Sequence, residues 1–450
     1  MTALRELGQK YGKLVSDERL FALYVISCMI LVPVAELIGE INGIMFFGSA
    51  SVITVYAVLG AFICILNMIL APFGRHWSDI FFVTLILFLL ISIVFSCDPF
   101  SYRQAPQEVA ELPEYGILYS CMMFCAFRIR SSVYRTASLL TIAGVSILHG
   151  IVGIFQSFGL IITPVTWHPT TYEVYGLTQN SNFYGSLSVL FTGCLLGLFI
   201  FRWKKITAVI SASLLLLSSY CLICSMARLA WVSLLLILMI IPVSLAVMKR
   251  KDRLGKDHSI YMKRYLAALL IIALACILAL LNPGERGLIG ERFSLTAHEI
   301  GEEGIGSYGS YRVNIWKICL ESVPKHWATG VGYGNLYRCF LEQRWFDPDN
   351  YYYTGFAHNT YLHVLVTQGV FAFINYIALL TVSAVAAVKR IINTSDDTDR
   401  KITWTCFLMF AGYLAASFFG CRVSYVEFYF FIVIGLMIPA GHGKVERDDG

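Results

Sequence analysis

The chain has 450 residues, of which 57% are hydrophobic and 14% charged, with a formal net charge of +5. Soluble domains are about half apolar and a quarter charged, so this composition excludes an ordinary soluble globule. With a mean hydropathy of +0.68, it reads as an all-α polytopic membrane protein. No nucleic-acid partner is expected.

The first twenty residues, MTALRELGQKYGKLVSDERL, are mixed in charge and run into a full-length apolar stretch, unlike a cleavable signal peptide. A membrane helix needs roughly 20 apolar residues, and twelve stretches qualify. They lie near 20–40, 43–70, 78–97, 115–127, 136–162, 183–201, 206–224, 229–248, 265–281, 360–388, 402–420 and 428–440; the fourth and twelfth are short. The run 206–248 is too long for one crossing at about 1.5 Å per residue, so it holds two, with Arg228 at the turn. No internal repeat is visible.

Lysine and arginine set the orientation. With the N-terminus in the cytoplasm, all but ten of the 34 basic residues fall on the cytoplasmic side, as the positive-inside rule requires. Both termini are then cytoplasmic. The ten on the other side include Arg228, Arg312, Arg338 and Arg422. Most of the 13 cysteines lie inside apolar runs, where a thiol acts as a small hydrophobe. Cys221 and Cys224 read as packing. Cys319 and Cys339 lie outside the membrane, either paired or free.

Residues 1–450 thus form a single integral membrane domain, with 282–358 inserted between spans nine and ten as one long extracytoplasmic loop. Such a loop is too long to be structureless in a compact protein. Within it, SYRVNIWKICLESV has apolar positions at Val313, Ile315, Trp316, Cys319, Leu320 and Val323, the spacing of a short amphipathic surface helix with Arg312 and Trp316 on one face. TGVGYGN follows, with Gly330, Gly332 and Gly334 at alternate positions. These glycines suit either a phosphate cradle or a tight loop, and nothing around them supports a dinucleotide fold or P-loop.

Three basic groups stand on the outer side at helix ends. Arg228 opens an inward-running helix, where the dipole opposes a cation unless an anion is near. His358 also stands at the outer N-terminus of an inward helix, a position that favours bound phosphate, although a polar cap there is the plainer alternative. Arg312 is the third. Arginine suits phosphate because its planar fork donates two hydrogen bonds together. No HExxH occurs. Glu299, Glu302 and Glu303 fall in a glycine-broken run, Asp347 and Asp349 sit in a turn-like DPDN, and the aromatics around them suit sugar stacking or the headgroup belt. No metal or other cofactor is expected.

SMARLAW, GSYRVNIW, TGVGYGN and HNTYLHVLVTQGVF follow one another as in the O-antigen ligase and O-antigen polymerase superfamily, which the chain resembles over about residues 176–373. The last block resembles the ligase pattern in His358, Asn359 and Gly369 and departs from it at Ala372. YGLTQNSNFYG places Asn182 where the family has an asparagine before the next span. The resemblance implies a glycosyltransferase at the outer face of a bacterial cytoplasmic (inner) membrane. It would move an oligosaccharide or polysaccharide from undecaprenyl pyrophosphate to an acceptor hydroxyl, on a lipid A core or a growing glycan, by an inverting, metal-independent displacement. Arg228 and Arg312 would hold the pyrophosphate, and His358 would act as general base or as a phosphate contact. Asn359, Asn182, Gly332, Gly334 and Trp316 would line the substrate site.

Two other readings stand beside this one. A lipid-linked glycan flippase or other transporter would place ionisable residues near the bilayer midplane. The sequence offers few: Glu36 lies toward the outer end of its span, and His149 is the one group deep in a segment, where a helix–helix contact accounts for it. A noncatalytic assembly protein explains the topology but not the three basic groups.

Overall fold

The computed structural model describes residues 11–12, 16–42, 48–70, 77–96, 111–160, 173–201, 205–251, 254, 257–301, 308–342 and 355–440, without the side chains of 293, 295–301, 308–311 and 341–342. Asp347, Asp349, Glu302, Glu303 and the aromatic run between Trp345 and Tyr353 lie outside the described residues, as does the side chain of Glu299.

Among the described residues the chain is helical, with no strand. In order the helices are α1 (Glu18–Ile41), α2 (Ala50–Leu70), α3 (Trp77–Val94), α4 (Pro113–Arg128), α5 (Ser132–Ser157), α6 (Ser181–Ile200), α7 (Lys205–Cys224), α8 (Arg228–Arg250), α9 (Asp257–Leu281), α10 (Pro283–Gly301), α11 (Tyr308–Ser322), α12 (Arg338–Glu342), α13 (Thr360–Asn393), α14 (Asp397–Phe419) and α15 (Ser424–Met437). Their starts follow ordinary capping chemistry: Asp17, Ser131, Asn180 and Asp396 each accept a hydrogen bond from a backbone N–H of the first turn, satisfying donors that the helix itself leaves open.

Ten of these helices are long and apolar enough to cross a membrane: α1 to α3, α5 to α9, α13 and α14. The chain is a polytopic all-α membrane protein. The two short stretches expected as spans four and twelve are α4 and α15. At 16 residues, α4 is about 24 Å long, less than a hydrocarbon core. Both are almost wholly buried, so neighbouring helices rather than lipid surround them. They pack on each other: Tyr119 stacks on Phe431 at 5.5 Å, and a Cβ on Gly435 would lie 2.4 Å from the Ala126 Cβ. At the rim, α3 and α9 turn apolar side chains such as Leu90 and Leu270 outward, where lipid replaces the missing protein contacts.

Boundaries shift where charge extends a helix past its apolar part. α9 begins at Asp257 rather than near 265, because hydropathy marks only the membrane portion of a longer helix. The expected turn at Arg228 is present, with Met226 in the left-handed region at φ 55°. Cys221 and Cys224 pack with Val174, Tyr184 and Ala279. His149 stacks on Tyr184 at 6.0 Å and accepts a hydrogen bond from the Leu177 N–H at 3.4 Å; it is the satisfied interhelical contact expected of it.

The segment between α9 and α13 contains α10, α11 and α12. Arg292 on α10 pairs with Glu173 at 3.1 Å, and Glu173 accepts from Ser181 at the start of α6. The amphipathic helix expected around 310–323 is α11, with one correction of its face. Ile318 and Cys319 are buried, whereas Leu320 is 54% exposed, because α11 packs on the glycine loop and α13 rather than lying alone on a surface. Cys319 and Cys339 share that small apolar cluster as free thiols.

Candidate functional site

One end of the bundle, called here the site face, carries the α7–α8 turn, the α9–α13 segment, the start of α13 and the α14–α15 turn. His358 and Asn359 form the entry to α13. His358 has φ 49°, a left-handed conformation uncommon for a residue with a Cβ. Asn359 is the N-cap, its side chain accepting from the Leu362 N–H at 3.0 Å. The capping role available to this pair belongs to asparagine, which leaves the histidine ring for other contacts.

The His358 ring meets the α14–α15 turn, with Nδ1 3.2 Å from the Cys421 Sγ. Burial, then the positive charges of Arg312 and His363, lower its pKa to about 4, so near neutral pH the imidazole is uncharged and keeps a lone pair. Burial raises the Cys421 thiol to about 12, and it stays protonated. Arg312 acts electrostatically on both His358 and Cys421. One turn along α11, the Trp316 indole N–H donates to the Ala357 carbonyl at 2.9 Å, and its ring stacks on Phe419 at 6.2 Å. Trp316 therefore fixes α11 to the residue before His358, and Arg312 comes with it.

Asn182 lies half-buried in the first turn of α6, beside Phe183, which packs against Phe356 at 5.8 Å. Arg228 is the first residue of α8, after an N-cap, Ala227, that contributes no side-chain bond. A Cβ on Gly185 of α6 would lie 2.5 Å from the Ala227 Cβ, so Arg228 and Asn182 flank one close helix contact. Trp316 thus joins α11 to the entry of α13 at His358 and Asn359, and Arg312, one turn away on α11, acts on His358 electrostatically. Asn182 approaches through the Phe183–Phe356 contact, and Arg228 stands beside α6 at the Gly185–Ala227 contact.

The glycines pack against α13. Val331 and Gly332 donate their N–H groups to the Val366 and Thr367 carbonyls at 2.9 and 3.0 Å, and Val370 donates to Trp327 at 2.7 Å. α13 is broken at this point: Gly369 has φ 84° and ψ 175° inside the helix. The carbonyls released by the break are taken by the loop. Gly330, Gly332 and Gly334 all have positive φ, and a Cβ at Gly332 would lie 2.1 Å from the Ser96 Oγ. The Gly332 amide is therefore committed to Thr367, and the tight-loop geometry follows from close approach to α13.

Behind the His358 turn lies a group that the sequence did not single out. His363 and Glu111 meet at 2.7 Å, with side chains only 2% and 3% exposed. Arg422, itself 7% exposed, lies 3.8 Å from Glu111 and 4.0 Å from the fully buried Glu427, and its guanidinium sits over the rings of Tyr119 and Tyr333 at 5.1 and 5.8 Å. Tyr413 donates to Glu427 at 2.6 Å. Burial would raise the Glu111 carboxyl, but the His363 charge and hydrogen bond, with Arg422, outweigh it and hold the group below the usual carboxylate range. Glu111 is therefore a carboxylate, and the His363 Nε2–H donates to it. Arg422 is one of the ten basic residues expected away from the cytoplasm, although no role was read for it; Glu111, in a stretch with no motif, carried no signal. Among the described residues, no three His, Cys, Asp or Glu side chains gather so as to hold a metal ion.

These features define a multi-pass membrane protein with a buried ionisable centre at one end of its bundle, built around a histidine at a helix entry. Residues 213–377 match the family model described as O-antigen ligase, which supports the resemblance to the O-antigen ligase and polymerase superfamily. The matched stretch holds Arg228, Arg312, Trp316, the glycine loop, His358 and Asn359, and leaves out Asn182, Glu111 and Arg422. No curated protein matches the chain.

Proposed function

We propose that the chain is a glycosyltransferase that moves an oligosaccharide or polysaccharide from undecaprenyl pyrophosphate to an acceptor hydroxyl, on a lipid A core or a growing glycan. The site face would be the extracytoplasmic side of the bacterial inner membrane, with both termini in the cytoplasm. The observation that carries this reading is the placement of His358 at the entry to α13, with its ring against Cys421 and the preceding residue bonded to Trp316 of the helix that carries Arg312, inside the stretch that matches the family.

In this reading Arg312 and Arg228 hold the pyrophosphate and offset the charge that develops as it leaves, an electrostatic role worth about 3–4 kcal/mol for a well-placed donor. His358 accepts the proton of the acceptor hydroxyl as its oxygen attacks the anomeric carbon from the face opposite the pyrophosphate, inverting the configuration. No metal is assigned to this reaction. A histidine held neutral suits the base role better than that of a standing phosphate cation.

The test uses purified protein in detergent with an undecaprenyl-pyrophosphate oligosaccharide, with and without EDTA, comparing wild type with His358→Ala and Arg228→Ala. Release of undecaprenyl pyrophosphate with glycan transfer, lost in both variants and unaffected by EDTA, is the expected result. The product's size separates transfer to a lipid core from chain growth. Failure to turn over with any acceptor, together with movement of the lipid-linked glycan across liposomes, would replace this reading with the flippase.

A further inference from the structure

His358 has two supports. Its backbone enters α13 five residues before His363, and its ring touches Cys421, the neighbour of Arg422. His363 and Arg422 both converge on Glu111, at 2.7 and 3.8 Å. The two routes by which His358 is held therefore meet at one carboxylate from the turn before α4. Tyr333, from the glycine loop that splices into α13, completes the enclosure through its ring over Arg422. We propose that Glu111, with His363 and Arg422, is a positioning unit that sets the orientation of His358 for glycosyl transfer. This rests on the function proposed above.

A purely structural account is less economical. Buried ion pairs are expensive, and well-packed apolar residues of similar volume are often as stable or more so. The helices around this group already pack through aromatic contacts such as Tyr413 on Phe430 at 4.5 Å. A charged group gives what apolar packing does not, a directional hold. A carboxylate that accepts from an imidazole N–H fixes the ring's plane and position. Here it fixes a ring in the first turn of the helix whose entry residue is His358. Small displacements of a reacting group cost much: about 1 Å can reduce turnover by roughly 100-fold.

The experiment compares wild type with Glu111→Gln, His363→Gln and the double variant, using turnover of the lipid-linked oligosaccharide and the rate of alkylation of Cys421 by a small maleimide, read by peptide mass spectrometry. Loss of positioning is expected to reduce kcat by about 100-fold with KM changed little, since the group holds a reacting residue and does not touch substrate. The double variant should be no worse than either single one, because the residues act as a unit. Cys421 should label faster in each variant, and Glu111→Asp, which keeps the charge, should regain part of both readouts.

Wild-type kcat in both single variants would overturn the proposal, as would a rise in KM alone or a multiplicative double variant. If Glu111→Gln does not fold, His363→Gln gives the same reading; if neither folds, the group is a folding element and the proposal fails. Cys421 labelling needs no substrate. If wild type shows no turnover yet labelling rises in the variants, the enzyme reading fails while the hold on the His358 turn stands.

Discussion

Glu111 and His363 stand 252 positions apart in the chain and meet at 2.7 Å, closing one turn of α13 against the start of α4. The contact brings a residue with no recognisable pattern around it against a side chain five residues from the most conspicuous histidine in the sequence. Much of the chemistry proposed for this protein depends on what such contacts hold still.

Removing His358 should have the largest effect on turnover. If it takes the acceptor proton, His358→Ala should reduce kcat by about 100- to 10,000-fold while leaving the thermal midpoint in detergent near that of wild type. Arg312→Ala should lose about 3–4 kcal/mol of transition-state stabilisation. Arg312→Lys should recover only part of this, since a point charge does not reproduce the two-pronged contact. Steady-state kinetics with the lipid-linked donor measure all three.

The pH dependence of kcat/KM should expose the histidine's surroundings. Burial, Arg312 and His363 lower the His358 pKa to about 4, so the free enzyme keeps its base form well below the pH at which an ordinary histidine becomes charged. The acid limb should therefore lie near 4 rather than near 6.5. Stability carries the matching sign. The unfolded chain takes up this proton near 6.5 and the folded one only near 4, so stability present above about 6.5 should fall as pH is lowered through that window. Arg312→Gln removes one cause of the depression and should move the acid limb upward; an unmoved limb would separate it from His358.

Asn359 offers a way to separate capping from substrate contact. Its side chain accepts from the Leu362 N–H, so Asn359→Ala should cost about 1 kcal/mol of stability, and Asn359→Ser should restore most of it. If capping is its whole role, turnover per folded molecule should be close to normal in the serine variant. A serine variant stable but inactive would assign the amide to substrate as well.

The loop glycines should be intolerant for geometric reasons. Gly330→Ala would place a Cβ 2.3 Å from the Thr367 carbonyl carbon, and Gly369→Ala would place one 2.3 Å from the Ala328 oxygen. Both obstacles are backbone, and both glycines have positive φ, so each change should cost at least about 1–3 kcal/mol. Thermal unfolding in detergent reads this directly. A stable Gly369→Ala variant would mean that the break in α13 is not required.

The long spans and the α7–α8 turn were legible because lipid imposes a length and a composition on each helix that crosses it. α4 and α15 were less so, since helices shielded by other helices need not match a bilayer. Arg312, Trp316 and His358 were readable as neighbours because α11 and the start of α13 lie within one long segment with clear motifs. Glu111, His363 and Arg422 were not assembled in advance. Their meeting depends on how three distant turns pack, and no local spacing records it. Gly332 was read with two outcomes open, a choice that turned on the Gly369 break, which no periodicity announces because the apolar pattern runs through it.

The break also changes what counts as one piece of this molecule. In an unbroken helix each rung of the hydrogen-bond ladder is supplied from within; in α13, rungs at Val366, Thr367 and Val370 are supplied by residues 327, 331 and 332. The loop cannot lift away without leaving those rungs open, and the helix cannot fray past Gly369 without releasing the loop. The two should form a single cooperative unit, with the amides of Val331, Gly332 and Val370 exchanging slowly and opening together at one rate. The chain thereby carries the rigidity of its membrane stem into a stretch that lies outside any span.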